Sequence, residues 1–174
     1  AMNEEWEVKF KVLGPGKGES EEVRILNRLV RWTTKWLEYE ADQRHAEISI
    51  RMLDLEECKG VGTPGVQEKI DPEKEGDDLD GEQMSKFRAI VARGNYLAQD
   101  RSDIQYPVKE LCRRQAQATD QDWTALKRLG RYLKDHTRAV TRYDYQVRPT
   151  TVDVLSDTDF AGCRRTRKST SGGL

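Results

Sequence analysis

The chain has 174 residues, 36% of them hydrophobic and 35% charged, which is a low apolar share for one compact domain. Its formal net charge of −1 conceals an asymmetry, since residues 1–106 carry 16 Lys and Arg against 23 Asp and Glu, and residues 107–174 carry 14 against 8. No run of about 18 apolar residues occurs, and residues 1–10 lack the pattern of a signal peptide, so we expect no membrane segment. Three widely spaced cysteines (Cys58, Cys112 and Cys163) fit a reducing, intracellular setting.

The first half of the chain predicts a β-hairpin, a helix and a linker. Residues 23–41 are rich in β-branched and aromatic side chains, which indicates a hairpin. The glycine-rich residues 14–18 predict a plain loop, because they do not satisfy the phosphate-loop pattern. Asp42 is a predicted cap for a helix that runs to about Leu55. Residues 64–82 contain eight acids and two lysines, which is typical of a solvated linker.

Three helices and two strands are predicted in the second half. Residues 83–98 place Phe87 and Val91 on one apolar face. A second helix is predicted to start at the cap Asp103, with Pro107 in its first turn, where a missing N–H costs nothing. The third opens with an approximate capping box at residues 119–122 and runs to about residue 134. Strands are predicted at 139–146 and 151–155.

The third predicted helix has an apolar face and a basic face. At about 100° per residue, one arc holds its apolar residues from Trp123 to Leu133. A neighbouring arc holds four cations: Lys127, Arg128, Arg131 and Lys134. An ordered row of cations can follow the phosphates of a nucleic acid, and the alternative is an ordinary solvated helix face. More cations follow in the C-terminal turn: Arg164, Arg165, Arg167 and Lys168.

Asp157 is the candidate catalytic and metal-binding residue. It lies beside Asp159 at the end of a predicted strand. Two-metal nucleases hold Mg²⁺ with several converging carboxylates, because Mg²⁺ prefers oxygen ligands. By spacing alone, a turn or cap role for Asp157 is the simpler interpretation. His45 and His136 lie far apart in sequence, and we expect surface roles for both.

Three sequence blocks resemble a known family. They are residues 87–104 (FRAIVARGNYLAQDRSDI), 122–134 (DWTALKRLGRYLK) and 156–162 followed by 167–173 (SDTDFAG and RKSTSGG). In order and spacing they are similar to blocks of the Pol polyproteins of copia-type retrotransposons. The resemblance covers about half of the chain, residues 84–174. Residues 6–64 resemble more weakly the region that follows the polymerase active site.

The resemblance implies a domain organisation and a set of roles. Residues 1–63 would end a reverse transcriptase, 64–82 would be an acidic linker, 83–138 a helical connection region, and 139–174 the start of a ribonuclease H-like domain. Asp157 would be the first carboxylate that binds catalytic Mg²⁺. The basic helix would bind an RNA–DNA hybrid or template–primer, and the remainder of the polyprotein would be a partner. The parent family also implies the nucleus or a cytoplasmic particle as the location.

Parts of the family pattern are absent. The polymerase signature Y-x-D-D does not occur, and the other ribonuclease H carboxylates have no counterpart, so we expect this chain to be inactive alone. We consider three hypotheses: a fragment of a reverse transcriptase and ribonuclease H polyprotein, a stand-alone nucleic-acid-binding module, and a helical interaction protein without a nucleic-acid role. The expected fold is α+β, with a β-hairpin, about four helices and the first strands of an incomplete ribonuclease H-like sheet that lack their partners.

Overall fold

The computed structural model describes residues 9–66, 76–162, 167–169 and 171–173. The strands in these ranges are β1 (Glu22–Ile25), β2 (Arg28–Trp32), β3 (Trp36–Glu40), β4 (Val140–Asp144), β5 (Ser156–Thr158) and β6 (Ser171–Gly173). The helices are α1 (Arg44–Met52), α2 (Gly81–Ala98), α3 (Ser102–Cys112) and α4 (Asp120–Asp135). The predicted α+β class is confirmed. None of the described helices has the length and apolar composition that crossing a lipid bilayer requires.

The predicted hairpin is a three-stranded meander. Leu26 and Asn27 join β1 to β2 with positive φ angles of 49° and 65°, as in the two-residue turn that matches the twist of a hairpin. At the next turn, the Thr33 hydroxyl oxygen accepts hydrogen bonds from the backbone N–H groups of Lys35 and Trp36. The prediction was therefore right about antiparallel strands, although residues 23–41 form parts of three of them.

The fourth strand corrects the prediction for residues 139–146. These residues were expected to begin a separate sheet without a partner, but β4 pairs antiparallel with β3, from Trp36 opposite Asp144 to Glu40 opposite Val140. The physical reason is that β3 would otherwise present an unpaired edge of N–H and C=O groups. Pairing continues beyond the strands, where the Ala41 N–H donates to the Ala139 carbonyl at 3.3 Å.

The strand predicted at residues 151–155 is not formed. These residues are irregular and exposed, and the next strand, β5, begins at Ser156 and pairs with β6. Alternating apolar residues form a strand when a neighbouring strand takes up their backbone hydrogen bonds. In the described part of the chain no strand lies beside residues 151–155, and Val152 remains 88% exposed.

The core is helical and follows the predicted periodicity. Phe87 and Val91 of α2, Ile104 of α3 and Leu126 of α4 are almost inaccessible to solvent. The predicted capping box acts, since the Asp122 carboxylate accepts from the Thr119 N–H at 2.8 Å. Helix α2 begins two residues before the predicted start, and its cap, which was not predicted, is Asp80, whose carboxylate accepts from the Gln83 N–H at 2.8 Å. Burial at every third or fourth residue therefore determines which face of each helix packs in the core.

The start of α3 differs from the prediction. The helix begins at Ser102, so Asp103 lies inside it, and Pro107 lies in its second turn and not its first. Arg101 is the extended residue before the helix, and its guanidinium binds the Asp103 carboxylate. This contact turns the backbone at Ser102, so the helix begins one residue before the predicted start at Asp103. At the start of α1 the predicted cap does act, because Asp42 accepts from the Arg44 N–H at 3.0 Å.

The predicted linker has a structured end. Of residues 64–82, the stretch 67–75 lies outside the described residues. The Leu79 N–H donates to the Ala118 carbonyl and the Asp120 N–H to the Asp77 carbonyl, both at 3.0 Å, and α2 begins at Gly81. The acidic residues at 77–80 are thus tied to the start of α4, because backbone groups near a helix start need partners.

A polar network joins the sheet to the helices. Arg28 of β2 donates to the Asp100 carboxylate at 2.6 Å and to the Tyr96 hydroxyl at 2.9 Å. The Tyr39 hydroxyl of β3 donates to the same carboxylate at 2.8 Å. Burial and this hydrogen bond raise the pKa of Tyr39 to about 12. The contact fixes the sheet against the end of α2 through charge-assisted hydrogen bonds.

Candidate nucleic-acid interface

Helix α4 carries the predicted row of cations on a rigid support. Leu126, Leu129 and Leu133 are buried in the core, and Gly130 lies against Leu53 and Leu55. Because one face of the helix is fixed by this packing, the orientation of the other face is fixed as well. We call the four cations on that other face the basic row: Lys127, Arg128, Arg131 and Lys134.

The basic row lies against the loop of residues 58–63, which we call the 58–63 loop. Arg128 donates to the Thr63 hydroxyl at 2.7 Å, and Arg131 donates to the Lys59 carbonyl at 2.8 Å. Lys134 donates to the Cys58 carbonyl. No local sequence pattern predicts these contacts, because the two partners of each hydrogen bond are 65 to 76 positions apart in the chain.

The acceptors on the 58–63 loop are neutral, whereas several other described arginines are paired with carboxylates. Arg28 is paired with Asp100, Arg101 with Asp103, and Arg138 with Glu40. Among the described residues, no member of the basic row forms an ion pair with a carboxylate. A hydrogen bond to a carbonyl or hydroxyl fixes the cation without cancelling its charge.

The members of the row differ in exposure. Lys127 is exposed and has no hydrogen-bond or ion-pair partner in the described ranges, while Arg128 is half-buried with its Nε lacking a partner. Arg131 and Lys134 are half-buried beside the loop. An arginine has five N–H donors, and Arg128 and Arg131 each use one of them in the hydrogen bond to the loop.

The C-terminal cations are not brought to the basic row by any described contact. Arg167 and Lys168 are exposed, and Arg164 and Arg165 lie outside the described residues. Upstream, Arg138 binds Glu40 in a bidentate pair, and this hydrogen bond raises the pKa of Arg138 and lowers that of Glu40. Their charges cancel locally, so Arg138 adds little to the potential of the surface.

Asp157 lies on β5, opposite Gly172 of β6, and its side chain is exposed. In the described part of the chain, no three His, Cys, Asp or Glu side chains form a group that could hold a metal ion. One carboxylate does not provide the converging oxygen ligands that a pair of Mg²⁺ ions requires. The described residues therefore do not fit a Mg²⁺ site by themselves, and the roles of Asp157 stay predictions.

The two histidines are held by aromatic neighbours. His45 packs on the Tyr96 ring with centroids 4.6 Å apart, and His136 stacks on Tyr132 at 4.3 Å. Burial lowers the pKa of His45, and the Asp42 carboxylate, 3.8 Å from its Nε2, opposes this effect only in part. His45 is therefore more buried than a surface residue, although neither ring meets a second histidine or a cysteine among the described contacts.

Comparison with known proteins identifies two relatives. An uncharacterized mitochondrial protein of Arabidopsis thaliana is 33% identical over 132 residues, which cover 74% of this chain and 52% of that protein. The retrovirus-related Pol polyprotein from transposon RE2 of the same plant is 34% identical over 91 residues, which cover 51% of this chain and 6% of the polyprotein. The chain thus spans about half the length of the first relative. No family model and no solved structure matches it.

These similarities agree with the three sequence blocks described above, since the relative that carries a descriptive name is a Pol polyprotein. The chain is therefore related to the retrotransposon Pol polyproteins of the copia type.

Proposed function

We propose that the chain is the part of a Pol polyprotein that joins the end of the reverse transcriptase to the start of the ribonuclease H. In this role its contribution is to bind an RNA–DNA hybrid or template–primer, with the chemistry carried out elsewhere in the polyprotein. The observation that supports the proposal best is the basic row, whose cations are held by neutral acceptors. The similarity to a Pol polyprotein supports the choice of a nucleic acid as the partner, and the position of the basic row on α4 supports the choice of the surface.

The dimensions of the row suit a short stretch of phosphate backbone. Helix α4 rises about 1.5 Å per residue, so Lys127 and Lys134 are roughly 10 Å apart along the axis. A nucleic-acid strand advances about 3.4 Å per nucleotide along its own axis, so the row faces about three nucleotides. Contacts of this kind are made to phosphates, so they do not depend on the base sequence.

Salt dependence of hybrid binding tests the proposal. If all four cations contact phosphates, the logarithm of the association constant should fall with the logarithm of salt concentration with a slope of about −3.6. The double variant Lys127→Glu with Arg131→Glu removes two contacts and should flatten the slope by about 1.8. Fluorescence anisotropy of a labelled hybrid, between about 50 and 200 mM salt, measures both quantities.

A matched control uses two exposed cations that belong neither to the row nor to the 58–63 loop. The double variant Lys17→Glu with Arg51→Glu makes the same change in net charge, on a loop and on α1. It should lower affinity slightly, through the net charge, without a comparable change in slope. Equal slopes for the wild type and the basic-row variant would show that the row does not contact phosphates and would refute the proposal.

The chain alone should have neither polymerase nor nuclease activity. Asp157 is the single candidate carboxylate, and among the described residues it belongs to no group of three or more His, Cys, Asp or Glu side chains that could hold a metal ion. In the complete polyprotein we propose that Asp157 binds Mg²⁺, and Asp157→Asn should abolish hybrid cleavage there. Cleavage of a hybrid by the 174-residue chain in Mg²⁺ would contradict this assignment. Nuclear or particle-associated localisation belongs to the same proposal.

A further inference from the structure

The 58–63 loop is anchored to α4 by packing as well as by hydrogen bonds. Just before the loop, Leu53 and Leu55 lie so close to Gly130 that a Cβ there would be 2.8 and 2.7 Å from their Cδ1 atoms. Within the loop, Cys58 and Val61 are partly buried against the core. The absence of a side chain at Gly130 thus lets the chain approach the helix closely and places the loop beside the basic row.

The loop runs antiparallel to α4, so successive loop residues contact α4 residues progressively closer to its N-terminus. Lys134, Arg131 and Arg128 lie three residues apart on α4, and they contact Cys58, Lys59 and Thr63 in that order. Residues spaced by three on a helix lie on nearly the same side, about 4.5 Å apart along the axis. Each cation on this side therefore has its own fixed acceptor on the loop.

These contacts restrict three long side chains without neutralising them. A free arginine or lysine loses rotamer freedom when it binds a phosphate, and this loss weakens binding. In this protein the three side chains already lose rotamer freedom when the chain folds, because each donates one hydrogen bond to the loop. The loop also carries the exposed Lys59, which adds a cation to the same surface.

We propose that the 58–63 loop is a positioning element of the nucleic-acid interface, in which the Thr63 hydroxyl holds Arg128 ready to bind a phosphate. The inference rests on the proposed function, because it concerns the same surface. Thr63 is a positioning residue, since it acts through Arg128 at 2.7 Å and does not itself bind the nucleic acid.

A pair of substitutions at one position tests the role of the hydroxyl. Thr63→Val keeps the shape of the side chain and removes the acceptor, whereas Thr63→Ser keeps the acceptor. With the full chain and a labelled RNA–DNA hybrid, Thr63→Val should raise Kd about two- to tenfold, the effect of releasing one immobilised side chain. The salt slope should stay that of the wild type, because the number of phosphate contacts is the same.

Thr63→Ser should bind like the wild type. Urea unfolding of both variants checks that the fold is intact, and Thr63→Ala provides a second loss of the hydroxyl if valine disturbs the loop. Unchanged affinity in the valine and alanine variants would overturn the proposal. Tighter binding would also overturn it, because the loop would then be covering Arg128. A higher Kd with a flatter slope would do the same, since it marks a lost phosphate contact.

The two proposals fail in different ways. If the Lys127→Glu and Arg131→Glu variant loses affinity and slope while Thr63→Val does not, the basic row binds nucleic acid and only the role of the loop is refuted. If the wild-type chain does not bind the hybrid even at low salt, both proposals are refuted together.

Discussion

Arg101 is the buried charge on which the junction between α3 and α4 depends. Its side chain is 1% exposed, and it donates to both oxygens of Asp103, at 3.1 Å from Nε and 2.5 Å from Nη2. Its remaining Nη1 donates to the His136 carbonyl, just past the end of α4. The Tyr132 hydroxyl of α4 donates to the same carboxylate at 2.9 Å. One guanidinium thus joins a carboxylate in the first turn of α3 to the carbonyls just past the end of α4.

Replacing Arg101 by Met should destabilise the fold by about 3 kcal/mol. Removing one partner of a buried ion pair costs roughly 3–5 kcal/mol, because the other charge is left uncompensated. The Asp103 side chain is 35% exposed, so its hydration should bring the cost to the lower end of this range. In a protein of this size, such a loss corresponds to a decrease in Tm of roughly 6–12 °C. Thermal unfolding followed by circular dichroism measures the decrease.

The pH dependence provides a second measure of the same interaction. Burial raises the pKa of Asp103, but the hydrogen bonds from Arg101 and Tyr132 outweigh it and leave the pKa below its ordinary value. This carboxylate therefore stabilises the wild type above its unfolded pKa, about 3.9, and the contribution is lost as the pH falls through the lower, folded value. Without Arg101, burial should raise the pKa of Asp103, so the stability gap between wild type and variant should narrow as the pH falls from 7 towards 4.

A double-mutant cycle isolates the pair. Asp103→Asn leaves Arg101 buried without its carboxylate and should also cost about 3 kcal/mol. The double variant should be more stable than the sum of the two losses predicts, by about 2 kcal/mol, since no unpaired charge remains. Additive losses, or a loss below about 1 kcal/mol for Arg101→Met, would show that the pair is not the stabilising contact that its geometry indicates.

Three further predictions concern other parts of the fold. The pKa of Tyr39 is raised to about 12 in the folded protein, so its neutral hydroxyl contributes stability below the unfolded tyrosine pKa near 10, and this contribution should be lost as the pH rises through 12. Tyr39→Phe should abolish this loss of stability at alkaline pH, which urea unfolding at several pH values measures. Gly130→Ala should destabilise by about 1 kcal/mol through overlap with Leu53 and Leu55, whereas Gly94→Ala, where the added Cβ would lie 3.4 Å from Val108, should be neutral or stabilising; equal effects in denaturation would contradict the overlap. The backbone amides of residues 151–155, which are irregular and exposed, should exchange hydrogen rapidly, and strong protection there would indicate a strand partner.

The candidate interface could be predicted only in part. The helical periodicity of residues 120–135 identified the basic row, because a fixed rotation per residue places its four cations on one side of the helix. The pattern contained no information on what those cations contact. Thr63 and Arg128 are separated by 65 positions, and their meeting depends on how α1 packs on α4. The suggested role of Asp157 came from the resemblance alone, and no described contact tests it.

The sequence by itself determined the elements that depend on local pattern. Apolar residues at intervals of three and four were enough to locate α2 and α4, and the Thr119–Asp122 box marked the start of α4, because helix hydrogen bonds and caps join near neighbours in the chain. The cap of α2 at Asp80 was not predicted. The blocks that relate the chain to Pol polyproteins were also legible without the fold.

Only the tertiary structure decided which distant segments meet. Residues 139–146 read as a strand, but nothing local showed that β4 would pair with β3, about a hundred residues earlier. The same holds for Arg28 with Asp100 and for the basic row with the 58–63 loop. An exposed strand edge or a buried charge requires a partner, and which partner it receives is set by the packing of the whole chain.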